Sequence, residues 1–179
     1  MVAFEISRIL ATTPGGKDDW VAGLFLLDTP SPVYPPLPLT IVDWINSAEE
    51  VRDIAPSSLP EKLVAHFNAT LGNLVGWNPN SLSEVREEGK VPKTWFVVAD
   101  NQLPGKIEDI REINETVRWL FVPNRATQNG SDGWERFIPP HKITVEPVSG
   151  ANHFTMVREP SVEVVARVLQ EACGQALQA

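Results

Sequence analysis

At 179 residues the chain has the length of one domain, and with 42% hydrophobic residues it can bury a sizeable core. A net charge of −8 and a pI near 4.9 argue against nucleic acid and anionic membrane surfaces as partners, because both demand a basic face. Cys173 is the single cysteine, which excludes a disulfide-stapled scaffold and fits a reducing, cytoplasmic setting.

The first residues, MVAFEISRIL, carry Glu5 and Arg8 within the apolar run, so they are no signal-peptide core, and no stretch is apolar enough for long enough to span a bilayer. Met1 to about Thr12 reads as a helix, apolar over most of its circumference and therefore expected to be buried, ended by Pro14, Gly15 and Gly16. It begins without a cap or a turn, as a helix does whose preceding strand and loop are missing. Trp20 to Leu27, WVAGLFLL, is a short continuous apolar run that suits a parallel strand covered on both faces, and Asp28 follows directly.

Five prolines between Pro30 and Pro38 then force an extended arm, since proline lacks a backbone donor and restricts the residue before it. The interval up to the next strand is too long to be structureless and reads as a helical lid insertion at about 38–90. Its helices are a short one around Ile41 to Ile45, an acidic piece Ala48 to Ile54, and a stronger one from Leu59 to Val75. The second strand is Lys93 to Ala99, with Asp100 at its carboxyl end. A helix is expected over Ile107 to Trp119, a turn at Asn129 to Gly133, and a short helix around Trp134 to Phe137.

The third strand starts at Ile143, where β-branched residues alternate with polar ones, and runs into a loop carrying Gly150, Asn152 and His153. Pro160 and the N-cap candidate Ser161 open a terminal helix whose Val162, Val165, Leu169 and Cys173 recur at helical spacing. The fold expected is α/β: a truncated α/β-hydrolase, with a short parallel sheet of about three strands, flanking helices and a lid, forming one partial domain over residues 1–179.

Loops past the carboxyl ends of parallel strands are where such folds keep their working groups. His153 lies on one. A histidine acting as general base needs a carboxylate to fix its tautomer and a nucleophile within reach. Asp28 and Asp100 both offer the carboxylate, each just past a strand. No nucleophile is evident, because the G-x-S-x-G elbow is absent: Ser149 is on the histidine loop, Ser131 is in a turn and Ser7 is inside the first helix.

MVAFEISRIL, LFLLDTPSP, VPKTWFVVAD, SDGWERFI and GANHFTMV resemble the thioesterase domain that ends multidomain polyketide synthases, most closely the fungal non-reducing type. The resemblance covers nearly the whole chain and only the back half of that domain. It implies that Asp28, in LFLLD, is the triad acid and that His153, in GANHF, is the histidine. Asp100 is the rival acid, in the slot where many other α/β hydrolases hold theirs. The family's elbow would fall a few residues before Met1, so the serine and the front strands have no counterpart here.

The resemblance further implies hydrolysis or cyclising release of an acyl thioester, with the substrate on the phosphopantetheine of an acyl carrier protein as partner and no cofactor on the enzyme. Without its nucleophile the chain is expected to be inactive and poorly soluble alone unless a missing N-terminal half is supplied. The alternatives are a non-catalytic carrier-protein or acyl-binding module and an incomplete gene product. His66 and His141 are expected on the surface or lid, Cys173 as a small core residue, and Trp44, Phe67, Trp77 and Trp119 as pocket or packing residues of the lid. Three histidines and one cysteine show no metal-ligand spacing.

Overall fold

A computed structural model describes residues 21–31, 91–126 and 130–176, together with residues 3, 6, 7, 9, 10, 34, 35, 37, 38, 40, 41, 44, 65 and 69. Three strands, β1 (Leu24–Leu27), β2 (Thr94–Ala99) and β3 (Ile143–Val148), form a parallel sheet in the order β1-β2-β3. The α/β class and the three-stranded parallel sheet are those expected from the sequence.

The composition of each strand explains its place. All six residues of β2, TWFVVA, are buried, as a central strand covered on both faces requires. β3 is half-exposed and contains Pro147, opposite Val98 of β2. Proline has no N–H for a second neighbour, so it suits an edge strand. β1 is shorter than expected: Val21 to Gly23 lie outside the strand, and Trp20 lies outside the described residues. Gly23 is where the chain crosses Trp95 closely, and a Cβ there would meet the indole at 2.8 Å.

The alternation of β2 assigns its faces. Trp95, Val97 and Ala99 point into a core with Val148, Ala151 and Met156, covered by the terminal helix α2 (Ser161–Ala176) through Val165, Val168 and Ala172. The buried stripe is therefore rotated from the expected one. Val165 lies on it as expected, but Val168 and Ala172 take the places given to Leu169 and Cys173, both of which are exposed. Positions three and seven residues after Val165 continue one stripe, and each is flanked by an apolar neighbour that periodicity alone cannot reject. Cys173 is thus a surface residue, contrary to expectation.

The described residues of the first helix also depart from the reading. Residues 3, 6, 7, 9 and 10 are helical, yet Ile6 and Ile9 are exposed and Ser7 is buried. A helix packed on one side buries one stripe, so a helix apolar most of the way round leaves the remainder in solvent.

The chain divides into two compact units, Met1–Val33 with Pro79–Asn101 and Pro123–Ala179, and Tyr34–Asn78 with Gln102–Val122. The sheet and α2 belong to the first. In the second, the helix expected over Ile107 to Trp119 is interrupted: a 3-10 turn, Ile107–Asp109, precedes α1 (Glu115–Leu120). Asn114 stops a continuous helix because its side chain accepts from the Val117 N–H at 3.0 Å, capping α1. Trp44 packs edge-on to Phe121 in this unit, with ring centroids 5.4 Å apart. Trp44 and Trp119 are both buried. Of the proposed lid, residues 40, 41, 44, 65 and 69 are helical. The helix expected at Ala48 to Ile54, and Phe67 and Trp77, lie outside the described residues. No helix among the described residues is long and apolar enough to cross a membrane.

Candidate active site

Asp28 is the residue after β1. Its N–H continues the ladder to the Val97 carbonyl at 2.7 Å, but its φ of 40° is left-handed, which ends the strand. Aspartate tolerates this region better than most side chains, at a cost that the surroundings must offset. They do so by clamping the turn. Thr29 Oγ1 donates to the Leu27 carbonyl at 2.9 Å, and the buried indole of Trp134 donates to the Thr29 carbonyl, also at 2.9 Å.

The Asp28 side chain is 1% exposed and receives donors from three other parts of the chain. The Ala99 N–H, at the end of β2, reaches Oδ1 at 2.8 Å. One terminal nitrogen of Arg125 lies 2.8 Å from Oδ1 and 2.9 Å from Oδ2. His153 Nδ1 lies 2.7 Å from Oδ2.

His153 is presented by an asparagine-capped turn. Asn152 Oδ1 accepts the N–H groups of Phe154 and Thr155 at 3.0 Å each, and its own N–H donates to Thr155 Oγ1 at 2.9 Å. This reciprocal pair of side-chain bonds works as a capping box does, fixing the loop five residues past β3. The imidazole is 34% exposed, so one nitrogen meets a buried carboxylate while the ring keeps a path to solvent.

Electrostatics follow from this packing. Burial alone would push the Asp28 carboxyl up. The hydrogen bond and charge of His153, then the charge and hydrogen bond of Arg125, overcome it and hold the carboxyl below its usual 3.8. Asp28 is therefore ionised at neutral pH. An ionised carboxylate only accepts, so Nδ1 carries the hydrogen and Nε2 is left as the basic nitrogen. That arrangement can take a proton from a hydroxyl or water and stabilise the imidazolium that results.

Asp100 ends β2 without such company. Its N–H donates to the Val148 carbonyl at 3.3 Å and its carbonyl accepts from Asn124 at 2.7 Å, but both are backbone bonds. Its Oδ1 is buried and has no hydrogen-bond partner among the described residues. The structure thus brings together Asp28 and His153, and among the described residues no such bond reaches the Asp100 side chain. His141 sits exposed on a 3-10 turn, Pro140–Lys142, and His66 lies outside the described residues.

Sequence reasoning missed Arg125 altogether and noted Asn152 and Trp134 without a role. Only Asn152, followed three residues later by Thr155, carried a local signal, that of a capped turn. Arg125 is 97 positions from Asp28 and lies in no pattern that announces it.

Over most of its length the chain is similar to a stretch of fungal non-reducing polyketide synthases. It is 30% identical over 158 residues to the non-reducing polyketide synthase terA of Aspergillus terreus, covering 86% of this chain and 7% of that protein. It is 28% identical over 183 residues to the bikaverin polyketide synthase bik1 of Gibberella fujikuroi, covering 96% of this chain and 8% of that one. The conidial yellow pigment biosynthesis polyketide synthase melA of Penicillium expansum is 28% identical over 187 residues, with 97% and 8% covered. The chain therefore spans less than a tenth of the length of these curated relatives. No family model matches it, and no solved structure does.

Proposed function

We propose that the chain is the acid–histidine portion of an α/β-hydrolase-type thioesterase domain, one that releases an acyl chain from a polyketide synthase's acyl carrier protein by hydrolysis or cyclisation. The observation that carries this reading is the 2.7 Å bond between Asp28 Oδ2 and His153 Nδ1, formed past the carboxyl ends of β1 and β3 in a parallel sheet. The similarity to non-reducing polyketide synthases supports the substrate class.

In this reading His153 Nε2 takes the proton of a serine hydroxyl as its oxygen attacks the thioester carbonyl. Asp28 holds the ring and offsets the positive charge. The C–S bond then breaks, the proton passes from the imidazolium to the departing phosphopantetheine sulfur, and the acyl group is left as an ester. Water, or a nucleophile within the acyl chain, opens that ester with the same histidine as base. The serine belongs on a G-x-S-x-G elbow, which no stretch of these 179 residues matches. The chain alone is therefore expected to be inactive.

The test is turnover of an acyl thioester by this chain, alone and joined to the elbow-bearing segment of a polyketide synthase relative. Turnover is expected only from the joined protein, falling by about 10³-fold or more with His153→Ala. A joined protein indifferent to that substitution refutes the proposal, as does turnover by the chain alone.

A further inference from the structure

Arg125 is a fully buried cation that neither composition nor motif explains. Its backbone is delivered by Asn124, whose φ of 52° is left-handed and whose N–H bonds the Asp100 carbonyl at 2.7 Å. Its Nε donates to the Ala99 carbonyl at 3.1 Å while its terminal nitrogen spans both oxygens of Asp28. The guanidinium is thus anchored to the end of β2 and reaches across to the end of β1. Guanidinium is rigid and planar, so fixing two of its nitrogens fixes where the carboxylate must lie.

We infer that Arg125 is the positioning residue of the Asp28–His153 couple: anchored on the Ala99 carbonyl, it holds the Asp28 carboxylate so that Oδ2 faces His153 Nδ1. The inference rests on the reading of those two residues as an acid–base couple. Two tasks that an acid usually performs alone are divided here. The Ala99 N–H and Arg125 orient the carboxylate, and its Oδ2, which Arg125 also holds, in turn orients the imidazole. A guanidinium only donates, so the carboxylate it pairs is held as an acceptor and the hydrogen of the couple lies on Nδ1. The left-handed backbone of Asp28 is one reason a clamp is needed, because the aspartate otherwise has an incentive to relax out of that conformation.

The experiment is NMR of the whole chain labelled with ¹⁵N in its histidines, with His153 assigned by substituting it. The wild-type chain is expected to show a downfield Nδ1 proton and the nitrogen shifts of the Nδ1–H tautomer. Arg125→Met, of similar length without charge, is expected to lose that proton resonance and to mix the tautomers. A folded Arg125→Met protein that retains both overturns the inference. If it does not fold, Arg125→Lys is read instead. The single nitrogen of an ammonium cannot occupy both guanidinium positions, one at the Ala99 carbonyl and one at the Asp28 carboxylate, so the resonance is expected to move and exchange faster, and an unchanged resonance overturns the inference.

Failure of the couple itself looks different. A wild-type chain without the resonance, or one that keeps it in Asp28→Asn, sinks the acid–base reading before Arg125 is considered. An Arg125-dependent resonance in a joined protein that never turns over a thioester sinks the thioesterase assignment and leaves the positioning role standing.

Discussion

Asp28 and Asp100 each follow the last residue of a parallel strand in the same sheet, and position at a strand end alone gives no reason to prefer one over the other. Their surroundings differ in what arrives from elsewhere in the chain. Asp28 is met by the Ala99 N–H, Arg125 and His153, whereas among the described residues the polar partners of Asp100 are backbone groups that any residue would offer its neighbours. The end of a strand supplies a rigid platform. What makes a carboxylate a candidate acid is the set of donors converging on it, and those come from remote segments.

The comparison breaks most visibly in activity. In the chain joined to an elbow-bearing segment, Asp28→Asn is expected to lower acyl-thioester turnover by about 10⁴-fold, because an amide in that place no longer fixes the tautomer or offsets the imidazolium. Asp100→Asn is expected to cost less than about 10-fold, since it touches neither ring nitrogen. Equal losses, or the reverse order, would make Asp100 the acid.

Stability separates the pair next. Asp28→Ala strands the buried charge of Arg125, and removing one partner of a buried ion pair typically costs about 3–5 kcal/mol. Asp100→Ala removes a side-chain oxygen that is buried without a partner while keeping both backbone bonds, so a change within about 1 kcal/mol is expected. Urea midpoints of the two variants measure the contrast. A destabilisation shared equally would show that Arg125 finds another counter-charge.

Acid sharpens it further. The native Asp28 carboxyl lies below the value it has in an unfolded chain, so the unfolded state takes up its proton first. The stability this confers is complete above the unfolded value near 3.8 and is lost as pH falls through the lower native one. Melting temperatures recorded from about pH 5 down to about pH 2 should therefore fall more steeply for the wild type than for Asp28→Asn. Parallel curves would show that the carboxyl is not depressed.

The contrast between the two aspartates also marks what could be read without coordinates. Asp28, Asp100 and His153 were legible as strand-end and loop residues because continuous or alternating apolar runs locate strands well. The sheet followed from the same runs. Arg125 was not legible, since one arginine among fifteen lysines and arginines carries no mark of burial when its partner is 97 positions away. The inward face of α2 was misplaced by one residue at two positions, because Val168 adjoins Leu169 and Ala172 adjoins Cys173, and helical spacing does not choose between apolar neighbours. The break before α1 depended on a cap at Asn114 that competes locally with helix continuation.

The smallest effect concerns the other half of the couple. The Asn152 carboxamide satisfies two N–H groups of the turn that carries the histidine. Losing such a cap costs about 1 kcal/mol, far less than losing the buried ion pair. Because the Asp28–His153 bond joins two separately anchored loops, Asn152→Ala is expected to loosen only the histidine side. The fold should persist with a urea midpoint only slightly lowered, while the Nδ1 proton of His153 exchanges faster with solvent. Asn152→Ser, whose hydroxyl can still cap, is expected to restore most of the slow exchange. An Asn152→Ala chain with wild-type exchange would mean that the carboxylate side, with its arginine clamp, is sufficient to hold the histidine in place.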